Sequence, residues 1–533
     1  MPGCAIGINF LNPADRSTDA AREASIQEFG LNDIVEDQQR VVDFLSDPAS
    51  HGGDPVETIC THGAYVFLVG ERAIKLKRAV KFPYMDFSTV AKRHAVCEAE
   101  LRLNRRTAPM LYRSVASVTE DGNGALAIGG DGRVLDWVVI MNRFDQSTLF
   151  DRLAEADALT VPLVELLADE VARFHASADA AGEVDLPAEM LDVIQGNTAN
   201  LRQCSPTLFS GGAVDMLDER CAAMIDAHRA LLLQRAAGGF VRRCHGDLHL
   251  RNVCLVDDMP TLFDCLEFSE RLATIDVAYD LSFLLMDLEH RGLRWAANRI
   301  LNRYLARTAD YDCLALLPLY MSVRAAVRAH VSAAADQFDE ARDYFQLALR
   351  LIDPMPQQLV AVGGLSGSGK STVAAALAPD LGRAPGAVVL RSDVLRKQLA
   401  GVDLFETLPP DTYTQDRSDA VYARLGDCSR LALSAGYAAV ADAVFGKDSE
   451  RKAIADVAAD MNVPFRGLWL DISAAEQDRR LAARTADVSD ATPSVGKGQR
   501  AMIAPVRDWR RIEAGHDRQE TLVRARSVVL EGG

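Results

Sequence analysis

The sequence predicts a multidomain protein of mixed α/β and α+β class: a small sheet-bearing lobe, a larger helical lobe, and then a three-layer domain built on a parallel sheet. Three observations predict it. A chain of 533 residues exceeds what one hydrophobic core organises, at roughly 100–200 residues per domain. Alternating apolar runs crowd residues 57–141, whereas the stretch after Asp145 repeats with a helical period. Beyond Pro354 and Pro356, short apolar runs alternate with helical stretches, as parallel strands and their crossover helices do.

The elements follow in order. Residues 1–35 mix Asn, Asp, Pro, Ser and Ala without a sustained period and read as a loosely held arm with no chemistry. Residues 36–352 are expected as one domain. Within it, Glu57 to Lys77 reads as a pair of strands, Val66–Val69 and Ala73–Lys77, around the turn Gly70-Glu71-Arg72. A helix is expected from Thr89 to Arg106, then strand-like segments at Ser114–Val118 and Val134–Met141. Residues 274–352 continue as amphipathic helices, and the proline-marked break places a second domain at 357–530. Its strands are expected at 359–362, 387–391, 437–442, 466–470 and 526–530.

Composition is that of an ordinary globular protein, 49% hydrophobic and 25% charged, with no apolar run long enough to span a bilayer. Met1-Pro2-Gly3-Cys4-Ala5 shows no basic stretch followed by an apolar one, and Pro2 rules out a myristoylation start, so a cytoplasmic protein with no membrane partner is expected. The ten cysteines form no C-x-x-C pair. Cys244, Cys254 and Cys265 sit in apolar contexts and read as small buried hydrophobes instead of metal ligands. Lys plus Arg number 58 against 75 Asp plus Glu, a net charge of −17, and residues 357–533 hold 23 of each sign, so the acidic excess lies in the first two thirds. Such a field disfavours nucleic acid there and would attract a cationic substrate.

The segment Gly364-Leu365-Ser366-Gly367-Ser368-Gly369-Lys370-Ser371 follows an expected strand and precedes the helical run from Thr372 to Leu377. That is the phosphate-cradling P-loop: Gly364, Gly367, Ser368 and Gly369 let backbone N–H groups close around phosphate, and Thr372 opens the helix whose positive end faces it. Lys370 reaches the terminal phosphates and Ser371 holds Mg²⁺, with ATP, or alternatively GTP, as the nucleotide. Arg391-Ser392-Asp393 ends the second expected strand, where Asp393 is either the base for an acceptor hydroxyl, a helix N-cap, or both. Asp442 ends the third and either orients Mg²⁺ or caps a helix. Arg479, Arg480 and Arg484 lie in a helical stretch in which Arg480 and Arg484 share a face; they either close over the phosphates or form a solvated basic face. With these features residues 357–530 resemble the AAA_33-type P-loop kinases, a group similar in architecture to polynucleotide 5′-hydroxyl kinases, zeta toxins and gluconate or adenylylsulfate kinases. The resemblance implies phosphoryl transfer from ATP to a hydroxyl.

A second constellation lies upstream. His245-Gly246-Asp247-Leu248-His249-Leu250-Arg251-Asn252 precedes the strand Val253–Val256, a turn Asp257-Asp258-Met259-Pro260, and a strand running to Leu262-Phe263-Asp264. Asp247 can take the proton of an attacking hydroxyl, Asn252 can coordinate Mg²⁺, and Asp264, returned by the hairpin, can bridge Mg²⁺ to nucleotide phosphates. Here the sequence resembles the aminoglycoside phosphotransferase and choline kinase branch of protein-kinase-like enzymes, whose H-G-D-x-H-x-x-N hallmark it matches. The resemblance implies a bilobal kinase-like fold and a small-molecule acceptor. It departs from protein kinases at Gly246 and at Asp264-Cys265-Leu266, so activation-loop control is not implied. It also implies a nucleotide-binding lysine and a helix glutamate: Lys75 with Glu100, or Lys77 and Glu98 as substitutes. His249 is expected to brace the loop, Asp276 and Asp280 to support it, and residues 281–352 to build the acceptor pocket.

Together these readings describe a fusion of an aminoglycoside-phosphotransferase-like domain with a P-loop kinase domain, transferring phosphate from ATP with Mg²⁺ to a small-molecule hydroxyl on an amino sugar, sugar or related metabolite. The two sites either act in succession or one regulates the other. The alternative is a P-loop half acting as a nucleic-acid 5′-hydroxyl or nucleotide-sugar kinase beside a regulatory first domain. A homo-oligomer stays open.

Overall fold

The computed structural model describes residues 35–530 apart from 83, 484–487 and 516. The expected arm thus lies outside the described residues except Val35, and so does Arg484. Two compact units form. One holds the residues up to Leu166 with Arg173–Asp287 and Tyr320–Arg350; the other holds Leu167–Ala172, Leu288–Leu319 and the residues from Leu351 onward.

The first unit opens with an antiparallel sheet of β1 (Val56–Cys60), β2 (Ala64–Val69), β3 (Arg72–Lys77), β4 (Tyr112–Glu120), β5 (Leu126–Ile128) and β6 (Arg133–Asn142), in the order β1-β2-β3-β6-β4-β5. Glu57–Lys77 therefore holds three strands where two were expected, because the Thr61 N–H and hydroxyl both reach the Ala64 carbonyl and close a tight turn before Ala64. Both faces of this sheet are covered. Phe67, Val69, Ile74 and Leu76 meet Val41 and Leu45 of the helix Gln39–Ser46. Val66, Leu68 and Ala73 meet Cys97 of α1 (Val90–Asn104), whose Thr89 hydroxyl caps the Lys92 N–H. Because side chains alternate along a strand, Lys75 and Lys77 share the face of Ala73 and look toward α1. Helices dominate after residue 150, as expected.

Strands β7 (Val253–Val256) and β8 (Met259–Leu262) form a hairpin whose turn is only Asp257-Asp258, not the four residues expected. Both aspartates have positive φ, 50° and 61°, the geometry that matches the twist of a two-residue hairpin, so Pro260 falls inside the strand.

The second unit is a parallel sheet of β9 (Leu359–Gly364), β10 (Val388–Arg391), β11 (Ala439–Asp442), β12 (Phe465–Asp471) and β13 (Arg510–Glu513), ordered β10-β11-β9-β12-β13. Its core joins Val360, Val362, Val440, Leu468 and Leu470 to Val373 and Leu377 of α2 (Lys370–Leu377). The strand expected at 526–530 is instead the end of the helix Arg518–Leu530: Leu522, Ala525 and Val529 recur at helical spacing and pack on this core. The true edge strand, β13, is mostly charged, so no apolar run announced it; Arg511 pairs with Asp471 of the neighbouring strand at 2.7 Å. The helix Arg294–Thr308 belongs to this unit too, with Asn298 Nδ2 donating to the Ala387 carbonyl at 2.9 Å and Asn302 Oδ1 accepting the Val389 N–H at 2.6 Å. Among the described residues no helix is long and apolar enough to cross a membrane.

Candidate active sites

In the first unit, β3 and α1 bring Lys75 and Glu100 together at 2.8 Å, and the loop after β8 adds Asp264 at 2.5 Å from Lys75 Nζ. Lys77 joins the same network, 2.6 Å from Glu100 and 2.6 Å from Glu267. All five side chains are almost wholly withdrawn from water. Burial alone would neutralise such groups, but the carboxylates outweigh it and hold the Lys75 pKa well above its ordinary value, while Lys75 and Lys77 hold Glu100 down to about 2. Glu98 takes no part; it is half-exposed beside His94. Glu267 was missed by sequence reasoning, because its partner Lys77 lies 190 residues away.

The loop His245–Asn252 is held from beneath. Asp280 accepts the N–H groups of His245 at 3.1 Å and Gly246 at 2.8 Å, and His175 Nε2 lies 3.1 Å from it; burial raises the Asp280 pKa, yet this histidine and its neighbours bring it to about 2. Asp287, also missed, accepts the Leu250 N–H at 2.9 Å. Asp276 acts elsewhere, in a bidentate pair with Arg235 at 2.7 and 2.8 Å. His175, Cys244 and Asp280 bring three potential ligand atoms within 4.8 Å of one another, but the Asp280 oxygens are engaged by the contacts just given, and Cys244, Cys254 and Cys265 are buried. His249 Nε2 lies 3.4 Å from Asp247, and Asn252 Nδ2 donates to Asp247 at 2.9 Å.

Those contacts use Asp247 Oδ2 and Asn252 Nδ2. Asp247 Oδ1 and Asn252 Oδ1 are buried without a hydrogen-bond partner, a costly state that a ligand would relieve. Asp264 has φ of 58°, a left-handed conformation that a non-glycine residue adopts at a cost of about 1–2 kcal/mol, and such outliers cluster at functional sites. The Asn252 carbonyl accepts the Phe263 N–H at 3.0 Å, so Asn252 and Asp264 stand on adjoining segments. An oxygen-only donor pair of this kind suits a hard cation such as Mg²⁺.

In the second unit the P-loop joins β9 to α2. Gly364 (φ 142°) and Gly369 (φ 95°) hold conformations closed to other residues, and a Cβ on Gly364 would lie 2.7 Å from the Leu470 carbonyl. Gly367 also has positive φ, and Thr372 lies half-buried in the first turn of α2. Lys370 Nζ donates to the Leu365 carbonyl at 3.0 Å, and Ser368 Oγ is buried without a partner. Ser371 Oγ donates to Asp442 at 2.6 Å, pairing the two oxygens expected at Mg²⁺. Asp442 ends β11 and caps no helix; burial and the nearby Asp393 raise its pKa against the pull of Arg391, 3.6 Å away, and of Lys370. Asp393 is the second residue of α3 (Ser392–Ala400), not its N-cap.

The expected arginines separate. Arg480, on α4 (Ala474–Ala482), donates to Glu476 at 2.6 Å and to the Ala514 carbonyl at 2.8 Å, and its Nη1 would lie 3.8 Å from a Cβ on Gly369. Arg479 pairs with Glu476 in solvent. Two glutamines escaped sequence reasoning because a neutral amide carries no motif: Gln477 Nε2 donates to the Ser366 carbonyl at 2.9 Å, and Gln499 accepts the Ser366 N–H at 3.0 Å.

The phosphotransferase enzyme family matches residues 103–317 and the AAA domain family AAA_33 matches 359–506. The uncharacterized protein Rv2004c of Mycobacterium tuberculosis is 30% identical over 489 residues, 88% of this chain and 93% of that one. The chain belongs to the family of phosphotransferase and P-loop fusion proteins. Among solved structures, a choline/ethanolamine kinase family protein from Mesorhizobium loti is 14% identical, covering 59% of this chain and 94% of its own, with a TM-score of 0.38. A sugar kinase from Janibacter sp. is 20% identical, covering 33% of this chain and 95% of its own, with a TM-score of 0.26. The fusion protein is thus a phosphotransferase with a phosphotransferase-family region followed by a P-loop nucleotide-binding domain.

Proposed function

We propose that the fusion protein transfers the γ-phosphoryl group of ATP, with Mg²⁺, to a hydroxyl of a small molecule such as a sugar or amino sugar, and that each unit carries its own transfer site. The observation that carries the reading is the pairing of Lys75, Glu100 and Asp264 beside a loop in which Asp247 Oδ1 and Asn252 Oδ1 lack partners. Lys75 orients phosphate, Asp247 accepts the hydroxyl proton, and Asn252 with Asp264 holds the metal. Asp247 has its pKa lowered: burial raises it, and His249 with His245 outweighs that, so it is ionised at neutral pH and able to orient the hydroxyl. Mg²⁺, when bound, neutralises charge building on the transferring group. In the second unit Lys370 and Arg480 neutralise phosphate charge, Ser371 and Asp442 hold the metal, and Asp393 serves as base; the 2.6 Å Ser371–Asp442 contact supports this assignment. A cytoplasmic setting belongs to the same proposal, supported by nine described cysteines without disulfide partners.

The test is ATP consumption and mass gain across a metabolite panel for the full chain, Asp247→Asn, Lys370→Ala and the double variant. Each single variant is expected to abolish one phosphorylated product. A double variant as active as the parent sinks the reading.

A further inference from the structure

Helix Leu317–Ala334 sends Arg324 under the loop that carries Asp247. The side chain is 2% exposed; Nε donates to the Tyr279 carbonyl and Nη1 to the Gly246 carbonyl, each at 3.3 Å. Its guanidinium carbon stands 3.9 Å from the centre of the Tyr279 ring and 4.7 Å from that of Phe283, and Phe283 meets His249 edge-on at 5.2 Å. Nη2 is buried with no hydrogen-bond partner. No ion pair involves Arg324 among the described residues; Asp280, whose charge it feels, is already engaged by His175 and two backbone N–H groups.

A guanidinium withdrawn from water is costly unless an anion meets it. Arg328 follows four residues later on the same helix face, buried, with its charge acting on Asp247 and its guanidinium 5.3 Å from the Tyr344 ring centre. Glu340 stands 4.0 Å from it, and the charges of Glu340 and Asp287 both act on it. Arg328 thus joins His249 and His245 in acting on Asp247, against the acidic balance of the chain as a whole.

Resting on the phosphotransfer reading, we propose that the acceptor at the Asp247 site carries an oxyanion, a carboxylate or a phosphate, received by Arg324 Nη2 with Arg328 behind it. The hydroxyl meets Asp247 Oδ1 while the anion meets the arginine, which fixes the orientation of the acceptor.

The experiment uses the full chain carrying Lys370→Ala, so that transfer reads out at Asp247. Phosphate incorporation is followed into gluconate, glucose 6-phosphate, glucose and glucosamine, which share a hexose-derived carbon chain and differ in charge. Gluconate or glucose 6-phosphate is expected to exceed glucose and glucosamine at least tenfold in kcat/KM; which of the two leads separates carboxylate from phosphate. Arg324→Gln is expected to raise KM for the anionic acceptor at least tenfold with kcat little changed, and Arg324→Lys to restore part of it. Preference for glucose or glucosamine overturns the proposal, as does an equal loss of kcat for every acceptor in Arg324→Gln, the mark of a loop-positioning residue. Titration calorimetry with gluconate and with inorganic phosphate, on the same chain saturated with Mg²⁺ and a non-hydrolysable ATP analogue, reads binding without turnover. Heat that vanishes in Arg324→Gln supports the anion site even if no acceptor is phosphorylated, an outcome that refutes phosphotransfer alone. Absence of heat in the parent refutes the anion site. Should Arg324→Gln lose cooperative melting, Arg328→Gln takes its place with the same expected outcomes.

Discussion

At the scale of single residues, the two active-site candidates are built from charges that would be unfavourable alone. Asp247 is held by Asn252 and His249 through one oxygen, leaving the other buried and unmatched. Asp247→Asn is expected to lower turnover at this site by about 10²–10⁴-fold, measured as acceptor-dependent ADP release in the Lys370→Ala background. His330 illustrates a different balance. Its ring lies buried 3.2 Å from Asn197, and burial, aided by Arg328, pulls its pKa down to about 4. As pH falls from about 6.5, the unfolded chain takes up a proton that the folded ring refuses, so stability declines until the folded pKa is reached, by about 3 kcal/mol in all. His330→Asn should flatten that part of the stability–pH curve from denaturant melts; an unchanged slope refutes the assignment.

Elements decide where those residues can stand. The turn between β9 and α2 depends on Gly364, and Gly364→Ala should cost about 1–3 kcal/mol and weaken nucleotide binding, read by melting temperature with and without ATP. The β7–β8 turn holds Asp257 and Asp258 at positive φ, so Asp258→Gly should stabilise by up to about 1 kcal/mol, and a lowered melting temperature would contradict the turn geometry. Much of this was legible beforehand: the strands that lead to the P-loop, to Asp442 and to the loop of Asp264 are marked by apolar runs. The edge strand β13 was not, because charge is what keeps an edge from pairing onward. The helix Arg518–Leu530 was mistaken for a strand because its β-branched residues cluster at the end, while its packing period runs over the whole element.

At the scale of the whole molecule, two unrelated motif constellations share one chain whose net charge is −17. If both sites transfer phosphate to different acceptors, the losses in Asp247→Asn and Lys370→Ala should be independent; if one product feeds the other site, one variant should accumulate a monophosphorylated intermediate visible by mass. The sequence by itself determined the two motifs and the parallel character of the second sheet, because contiguous loops carry the motifs and local spacing marks the strands. Lys75 and Lys77 could not be separated in this way, since both occupy one strand face; the structure gives both to Glu100 and only Lys75 to Asp264. Glu267, Asp287, Gln477, Gln499 and Arg324 emerged only from the tertiary structure. Each acts through a partner that lies far away in the sequence or through a backbone group that has no sequence signature. The local field at Asp247 is likewise a product of folding, since burial removes the water that would otherwise screen His249, His245 and Arg328.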